Sequence, residues 1–277
     1  MLELTSKDVD AYNNRGLAYY HLKEYERAIV DYDHALELDP KYVSAYYNRG
    51  LAYFGLKQYE RAIENYTRAL ELDPKDVDAY NDRGLAYNDL KEYEQAIVDY
   101  NRALELDPEK DDAYLSRGYT YLWLRDIKQA QTDFTRSWQL DSTIVNYGLM
   151  IEWVSMCQGK PGLETAERLE AIAAVDPDND EAYVCRGVAL WIRGSFEEAT
   201  AELNRAIELY PELEDIFFWK GIVHAYLGKD NEAIAAIEKS LELGLPPLLL
   251  SPLRWLEQDR PDFYRKYAAS LLARFEM

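Results

Sequence analysis

Cysteine, histidine and methionine are scarce in this chain. Its 277 residues include two cysteines, three histidines and four methionines. Cys157 and Cys185 lack metal-ligand spacing, and no cysteine lies near a histidine in sequence. We therefore predict no metal, no cofactor and no enzymatic activity. Both cysteines are interpreted as small buried hydrophobic residues of a protein in a reducing compartment, which predicts a cytoplasmic location.

Basic charge is also in short supply. The chain carries 31 Lys and Arg against 51 Asp and Glu, a formal net charge of −20. Such a surface repels phosphate backbones and anionic lipids, so neither nucleic acid nor a membrane is an expected partner. The apolar run 248–253 is too short and too rich in proline to span a bilayer, and the N-terminus resembles no secretion signal.

What the chain does have is a repeat of 34 residues. The stretch 9–42, VDAYNNRGLAYYHLKEYERAIVDYDHALELDPKY, returns as 43–76 with 24 identical residues and as 77–110 with 26. A period of this length predicts a solenoid of helical hairpins. Apolar residues recur at helical spacing in both halves of each copy, and Asp39-Pro40 ends the second helix.

Small residues occupy fixed places in each copy. Gly16 and Ala28 are expected to let the two helices of one hairpin touch, because glycine within a helix otherwise costs about 0.5–1 kcal/mol. An arginine or lysine precedes this glycine, as at Arg15. We interpret the aliphatic part of this side chain as packed against the helix and its guanidinium as exposed on the surface. The alternative, that the guanidinium contacts a ligand, is less favoured.

The pattern resembles the tetratricopeptide repeat, whose signature residues fall on Tyr12, Gly16, Tyr19, Ala28, Tyr32, Ala35 and Pro40. The resemblance implies an all-α, right-handed α-solenoid of tandem helix-turn-helix repeats with C-terminal capping helices. We divide the chain into a remnant of an upstream repeat (1–8), four regular repeats (9–144), a degenerate repeat (145–179), two further repeats (180–247) and the capping helices (248–277).

The same resemblance implies that the first helices line a concave groove and bind a peptide through positions 2, 5, 9, 12 and 13 of each copy. We call these positions the variable face. The candidate peptide-binding residues on it are Asn13, Leu17, Tyr20, Tyr47, Leu51, Phe54, Asn81, Leu85, Asn88, Tyr119, Trp123, Trp191 and Phe218.

A comparison within the chain agrees with this assignment. Between copies one and two, the first helix differs only at positions 2, 5, 12 and 13. Uniform drift of exposed positions is the alternative explanation. The variable face carries aromatic, apolar, Asn and Asp residues but no Lys or Arg. It therefore lacks a clamp for a C-terminal carboxylate and suits an apolar or basic segment.

The leading prediction is a non-enzymatic scaffold for protein–protein interaction that binds a protein or peptide segment in the groove. One alternative is homotypic assembly through the first hairpin, which has no predicted helix before it to cover its apolar face. Another is that the array serves as the sensor or regulatory module of a larger multidomain effector, in which case a catalytic domain would lie upstream.

Overall fold

The chain folds into consecutive helical hairpins, with no β-strand among residues 8–275, which the computed structural model describes. This confirms the predicted all-α solenoid of tandem hairpins. Residues 1–7 of the predicted upstream remnant lie outside the described range. Asp8 caps the first helix, because its side chain accepts a hydrogen bond of 3.0 Å from the Ala11 backbone N–H.

The chain forms two compact units, the first ending at Thr120 and the second beginning at Tyr121. Unit 1 contains three complete hairpins and most of α7. Its helices are α1 (Val9–His21), α2 (Tyr25–Leu38), α3 (Val43–Gly55), α4 (Tyr59–Leu72), α5 (Val77–Asp89), α6 (Tyr93–Leu106) and α7 (Asp111–Trp123), the last containing the boundary.

Unit 2 continues the hairpin pattern and ends in a more irregular segment. Its helices are α8 (Ile127–Leu140), α9 (Val145–Gln158), α10 (Leu163–Ala173), α11 (Asp180–Ile192), α12 (Phe196–Leu209), α13 (Glu214–Tyr226) and α14 (Asp230–Leu243). A 3₁₀-helix (Pro247–Trp255), a short helix (Leu256–Asp259) and a last helix from Pro261 to Phe275 follow; we call residues 247–275 the C-terminal segment.

The turn inside most hairpins contains a residue in the left-handed conformation. In the early copies that residue is Lys23, Lys57 or Lys91, with φ between 57° and 63°. Gly194 and Gly228 occupy this place in the later copies, with φ of 83° and 77°. Glycine adopts this conformation more easily than lysine does. A lysine at the C-terminal end of the first helix instead places a positive charge where the helix dipole is negative.

The glycine within each first helix lies against the second helix of its own hairpin. A Cβ atom at Gly16, Gly50 or Gly84 would lie 2.6, 2.6 or 2.7 Å from the Cε1 atom of Tyr32, Tyr66 or Tyr100. These three tyrosines are fully buried. The predicted close approach of the two helices is therefore present, and a buried tyrosine ring fills the space that glycine leaves.

The C-terminal segment packs onto the first helices of unit 2. Its 3₁₀-helix contacts α9, and the ring of Trp255 stacks on Trp191 of α11 with centroids 5.5 Å apart. Asp259 accepts a hydrogen bond from Tyr226 of α13 and pairs with Lys160 at 2.5 Å. Sequence analysis predicts a cap on the end of the array; these contacts place much of the segment along the variable face of hairpins five to seven.

Candidate functional site

The variable face of unit 1 is partly accessible. Eight of the ten candidate residues in this unit are half-buried: Leu17, Tyr20, Tyr47, Leu51, Phe54, Leu85, Asn88 and Tyr119. Tyr47, Leu51 and Phe54 pack on a core cluster that includes Tyr66 and Ala86. They bury one side in the hairpin and leave the other side available, as contact residues of a binding surface must.

Asn13 and Asn81 are the two candidates in unit 1 that are buried, with 6% and 5% of their surface exposed. Asn13 Oδ1 accepts a hydrogen bond of 3.0 Å from Asn48 Nδ2 on the next first helix. Asn81 Oδ1 has no hydrogen-bond donor within the described part of the chain. Asn13 therefore serves to join two copies, whereas Asn81 holds an unused acceptor.

Hydrogen bonds between successive first helices follow a regular spacing. Position 5 of one copy meets position 6 of the next, 35 residues later. Asn13 meets Asn48 in this way, and the Tyr47 hydroxyl donates to Asp82 Oδ2 at 2.7 Å. A further bond joins Thr120 Oγ1, as donor, to Asn88 Oδ1 at 2.9 Å. Residues of the variable face thus fix the register of neighbouring hairpins.

Asp82 is a site residue that the sequence prediction misses. Burial, with the nearby carboxylates Asp78 and Asp112, raises its pKa to about 6, although the hydrogen bond from Tyr47 and the charge of Lys110 act in the opposite direction. One feature of the sequence could have identified it: at position 6, the third copy has Asp82 where copies one and two have asparagine. Burial and the Asp82 carboxylate also raise the pKa of Tyr47 far above its ordinary value.

One lysine lies among these carboxylates. Lys110 Nζ is 2.7 Å from Asp78 Oδ1 and 3.3 Å from Asp112 Oδ2. Burial lowers the pKa of Lys110, but hydrogen bonding and the charges of both aspartates raise it by more. Lys110 therefore stays protonated. Lys110 pairs with Asp78 and Asp112 but not with Asp82 among the described residues, which leaves this end of the variable face acidic.

In copies two and three, the arginine before the glycine joins two hairpins instead of pointing freely into solvent. Arg49 Nε donates to Asn65 of its own hairpin at 2.7 Å, and its Nη1 pairs with Asp33 of the previous hairpin at 2.5 Å. In both directions the partner of Arg49 is 16 residues away in sequence. Arg83 has the same arrangement, with Asp99 16 residues ahead and Thr67 16 residues behind. The interpretation as an exposed guanidinium is therefore wrong at these positions, because each guanidinium binds polar side chains on two second helices, of which Asn65 and Asp99 are buried.

The fifth hairpin has a pair of the same spacing with its charges exchanged. Glu152 on its first helix accepts two hydrogen bonds from Arg168 on its second helix. Arg168 Nε lies 2.6 Å from Glu152 Oε1, and Arg168 Nη2 lies 2.9 Å from Glu152 Oε2. Glu152 is buried. This degenerate copy has lost the repeated arginine and glycine but keeps an ion pair between its two helices.

The candidates in unit 2 differ from those in unit 1. Trp123 is half-buried, whereas Trp191 and Phe218 are buried, with 4% and 0% of their surface exposed. Phe218 stacks on Trp153 with centroids 5.5 Å apart, and Trp191 lies beneath Trp255 of the C-terminal segment. The assignment of Trp191 and Phe218 as peptide contacts is therefore corrected: both belong to the core of unit 2.

Two acids on the variable face of unit 2 have displaced pKa values. Burial and neighbouring carboxylates raise the pKa of Glu181 and of Asp215 to about 7 each. Asp180 adds to the negative charge beside Glu181, and Glu214 to that beside Asp215. Both groups therefore carry a proton for part of the time near neutral pH.

Residues 8–275 contain no group of three or more His, Cys, Asp or Glu side chains arranged to hold a metal ion. Burial raises the pKa of the Cys157 thiol to about 12 and that of Cys185 further, so neither is activated as a thiolate. Within the same range, no helix has the length and apolar character needed to cross a bilayer.

Comparison with known proteins supports the repeat assignment. Profiles described as tetratricopeptide repeat match residues 43–76, 77–110, 165–214 and 214–243, and one described as TPR repeat matches residues 16–57. Together these matches cover more than half of the chain. A search of curated proteins gave no significant match in sequence.

Solved structures share the fold at low identity. A structure of Pseudomonas aeruginosa pilF is 21% identical with a TM-score of 0.63, over 75% of this chain and 94% of that one. A tetratricopeptide repeat protein from Parabacteroides merdae is 16% identical with a TM-score of 0.65, over 96% and 97%. The repeated hairpins, the glycine–tyrosine contacts and the profile matches lead to one conclusion: the chain is a tetratricopeptide repeat protein.

Proposed function

We propose that the chain is a protein-interaction scaffold and that the variable face of unit 1 binds a peptide segment of a partner protein. One observation carries this proposal. The residues that individualise the copies, such as Tyr20 and Phe54 at position 12, are half-buried, while residues that pack the hairpins, such as Ala52 and Ala86, are fully buried. Selection for packing alone would not keep different aromatic residues on an accessible face.

The face has the composition of a peptide-binding surface. Tyrosine and phenylalanine provide large contact areas at low entropic cost, and a few such residues carry most of the affinity in many interfaces. Neighbouring acids favour a basic or neutral segment, chiefly through the rate of encounter. Unit 2 contributes less to this proposal, because its C-terminal segment packs on the same face.

The test uses a library of random 12-residue peptides displayed on phage and selected on the immobilised chain. Selected peptides are then measured against Tyr20→Ala/Phe54→Ala, which changes the variable face, and Val30→Ser/Val98→Ser, which changes two exposed valines on second helices. Circular dichroism first establishes that both variants are helical. We expect the first variant to lose at least tenfold in affinity and the second to bind like the parent.

Two results would reject the proposal. Equal binding by the parent and by Tyr20→Ala/Phe54→Ala would place the peptides elsewhere. A selection that enriches no peptide would show that the face does not recognise extended segments.

Self-association through the first hairpin is a second candidate, favoured by one observation. Ala18 of α1 is exposed, while its counterparts Ala52 and Ala86 are fully covered by the preceding hairpin. A second copy of the chain is the proposed cover for this surface. Light scattering tests the idea: a dimer that Ala18→Glu dissociates supports it, and a monomer at all concentrations rejects it. A role as the sensor of a larger effector remains a further proposal, tested by the sequence of the complete gene.

A further inference from the structure

The regular series of bonds between first helices is interrupted at the third copy. Asn13 Oδ1 accepts a hydrogen bond from Asn48, and the Tyr47 hydroxyl donates a hydrogen bond to Asp82. Asn81 is the next position 5 in the series, yet its buried Oδ1 receives no donor from the described residues. Ser116 stands at position 6 of the following copy, where asparagine or aspartate stands earlier. The break therefore coincides with a change of residue type.

A second unused acceptor lies on the next first helix. Asp112 Oδ1 is buried and receives no hydrogen bond from any residue that the structure describes, although Asp112 Oδ2 is 3.3 Å from Lys110 Nζ. On α7, Asp112 lies one helical turn before Ser116. Asn81 lies 35 residues before Ser116, which is the spacing at which successive first helices meet, so Asn81 faces the same stretch of α7. Two acceptor oxygens without donors thus belong to adjoining positions of α5 and α7.

The charges around these acceptors do not balance. The negative charges of Asp78 and Asp112 act on Asp82, and the positive charge of Lys110 opposes them. Lys110 is held by Asp78 and Asp112, so the described partner of Asp82 is the neutral hydroxyl of Tyr47. Two formal negative charges remain, and within residues 8–275 no cation lies within hydrogen-bond distance of Asp82.

A positively charged donor would suit these acceptors best. A buried acceptor without a partner is unfavourable, and a donor from a bound ligand would relieve that cost. An arginine guanidinium offers five N–H donors and a lysine ammonium offers three; neither has an acceptor that would conflict with the carboxylates. A neutral amide would satisfy Asn81 but would leave the charge of Asp82 unpaired.

We propose that Asn81, Asp82 and Asp112 form a binding subsite for the arginine or lysine side chain of a peptide. We call these three residues the basic-residue subsite. The proposal rests on the proposed function, of which it names the ligand class: a segment that places one basic residue over α5 and α7 and apolar residues over Tyr20, Leu51 and Phe54.

The first two copies explain why the subsite occurs once in unit 1. In copy one, the corresponding Asn13 is satisfied by Asn48, and both side chains are neutral. In copy two, Tyr47 fills position 5 and directs its hydroxyl to Asp82. The basic residue of a bound peptide is therefore fixed at the third copy, which sets the register of the peptide.

The test is an NMR titration of the isotopically labelled full chain with N-acetyl-L-arginine methylamide and, separately, with N-acetyl-L-lysine methylamide. N-acetyl-L-citrulline methylamide has nearly the shape of the arginine compound but no charge. At least one basic compound should produce saturable shifts of the Asn81 side-chain NH₂ signals and the Asp82 and Asp112 backbone amides. Citrulline should bind at least tenfold more weakly, because hydrogen bonds to charged groups contribute about 1.5–3 kcal/mol.

Two variants complete the design. Asp82→Asn preserves an acceptor for Tyr47 and removes the charge; we expect roughly tenfold weaker binding of the basic compound. Glu94→Gln removes the same charge from an exposed position of α6 and should bind like the parent. The inference is overturned if neither basic compound shifts the Asn81 signals, if citrulline binds equally, or if Asp82→Asn has no effect.

The outcome is independent of the peptide selection. Selected peptides that need Tyr20 and Phe54 but bind equally after their basic residues are changed to glutamine would reject the subsite and leave the proposed function standing. Saturable binding of the arginine compound, lost in Asp82→Asn, would support the subsite even if the selection enriched no peptide.

Discussion

Arg83 holds Asp99 through two parallel hydrogen bonds, Nε to Oδ2 and Nη2 to Oδ1, each 2.7 Å long. Asp99 belongs to the second helix of the same hairpin and is almost fully buried. Arg83 Nη1 donates at the same time to Thr67 of the preceding hairpin at 3.0 Å. One guanidinium therefore connects three helices and neutralises a carboxylate inside the packed hairpin.

Removal of this guanidinium should destabilise unit 1 strongly. We expect Arg83→Ala to lower the free energy of unfolding by about 3–5 kcal/mol, since breaking a buried ion pair leaves a charge without compensation. Arg102→Ala is the matched control, because Arg102 pairs with Glu105 on an exposed helical surface. Its cost should be much smaller, because solvent screens an exposed ion pair. Urea unfolding followed by circular dichroism measures both values, and equal losses would contradict the assigned role of Arg83.

A methyl group at the repeated glycine should disturb the hairpin. Gly50→Ala would place Cβ 2.6 Å from the buried ring of Tyr66. We expect a loss of about 1–3 kcal/mol from overpacking, despite the better helix propensity of alanine. Gly159→Ala serves as the control, because no atom lies within 4 Å of the added Cβ. A melting temperature for Gly50→Ala at or above that of the parent would show that Tyr66 can move aside.

The acids of unit 2 should make its stability depend on pH. The pKa values of Glu181 and Asp215 are about 7 in the folded chain, against ordinary values of 4.5 and 3.8. The folded state therefore binds more protons than the unfolded state between about pH 4 and pH 7. Stability is highest below this window, falls as pH rises through 7 and levels off near pH 8.

The double variant Glu181→Gln/Asp215→Asn should remove much of that loss. We expect it to be more stable than the parent by roughly 2–4 kcal/mol at pH 8 and to differ less at pH 5. Thermal melts at both pH values provide the measurement. Glu167→Gln/Glu257→Gln removes the same charge from exposed positions; if this control reproduced the effect, general repulsion would explain it.

Aromatic residues on the variable faces of the two units should respond differently to truncation. Phe218→Ala should cost about 3–5 kcal/mol, because its ring is fully buried against Trp153. Phe54→Ala removes a half-buried ring and should cost less, while it weakens peptide binding. Calorimetry and a binding assay on each variant separate the two effects. A large loss of binding in a stably folded Phe218→Ala chain would contradict its place in the core.

Much of the fold follows from the sequence, because a repeat gives the same information several times. Gly16, Gly50 and Gly84 predict the helix contact, and Asp39-Pro40 predicts the end of α2. The 34-residue period predicts which faces meet. Tertiary context adds little here, since each hairpin packs mainly on its neighbours in sequence.

The candidate site was harder to predict. Trp191 occupies position 12, which is half-buried in unit 1, but Trp255 of the C-terminal segment returns to stack on it from a distance that no periodic pattern reports. Phe218 stacks on Trp153 of the degenerate fifth copy, whose sequence departs from the repeat. Asp82 was missed for a different reason: its environment depends on Tyr47 of the preceding copy, and pairs formed across copies are not visible within one copy.

The arginine contacts also bear on how such an array grows. In copies two and three, a guanidinium reaches 16 residues forward into its own hairpin and 16 residues back into the previous one, as Arg83 does with Asp99 and Thr67. A duplication of 34 residues reproduces both partners at the correct distance, wherever within the period the genetic breakpoints fall. The joint between repeats is thus inherited with the repeat, so the number of copies can change in a single genetic event without the invention of a new interface.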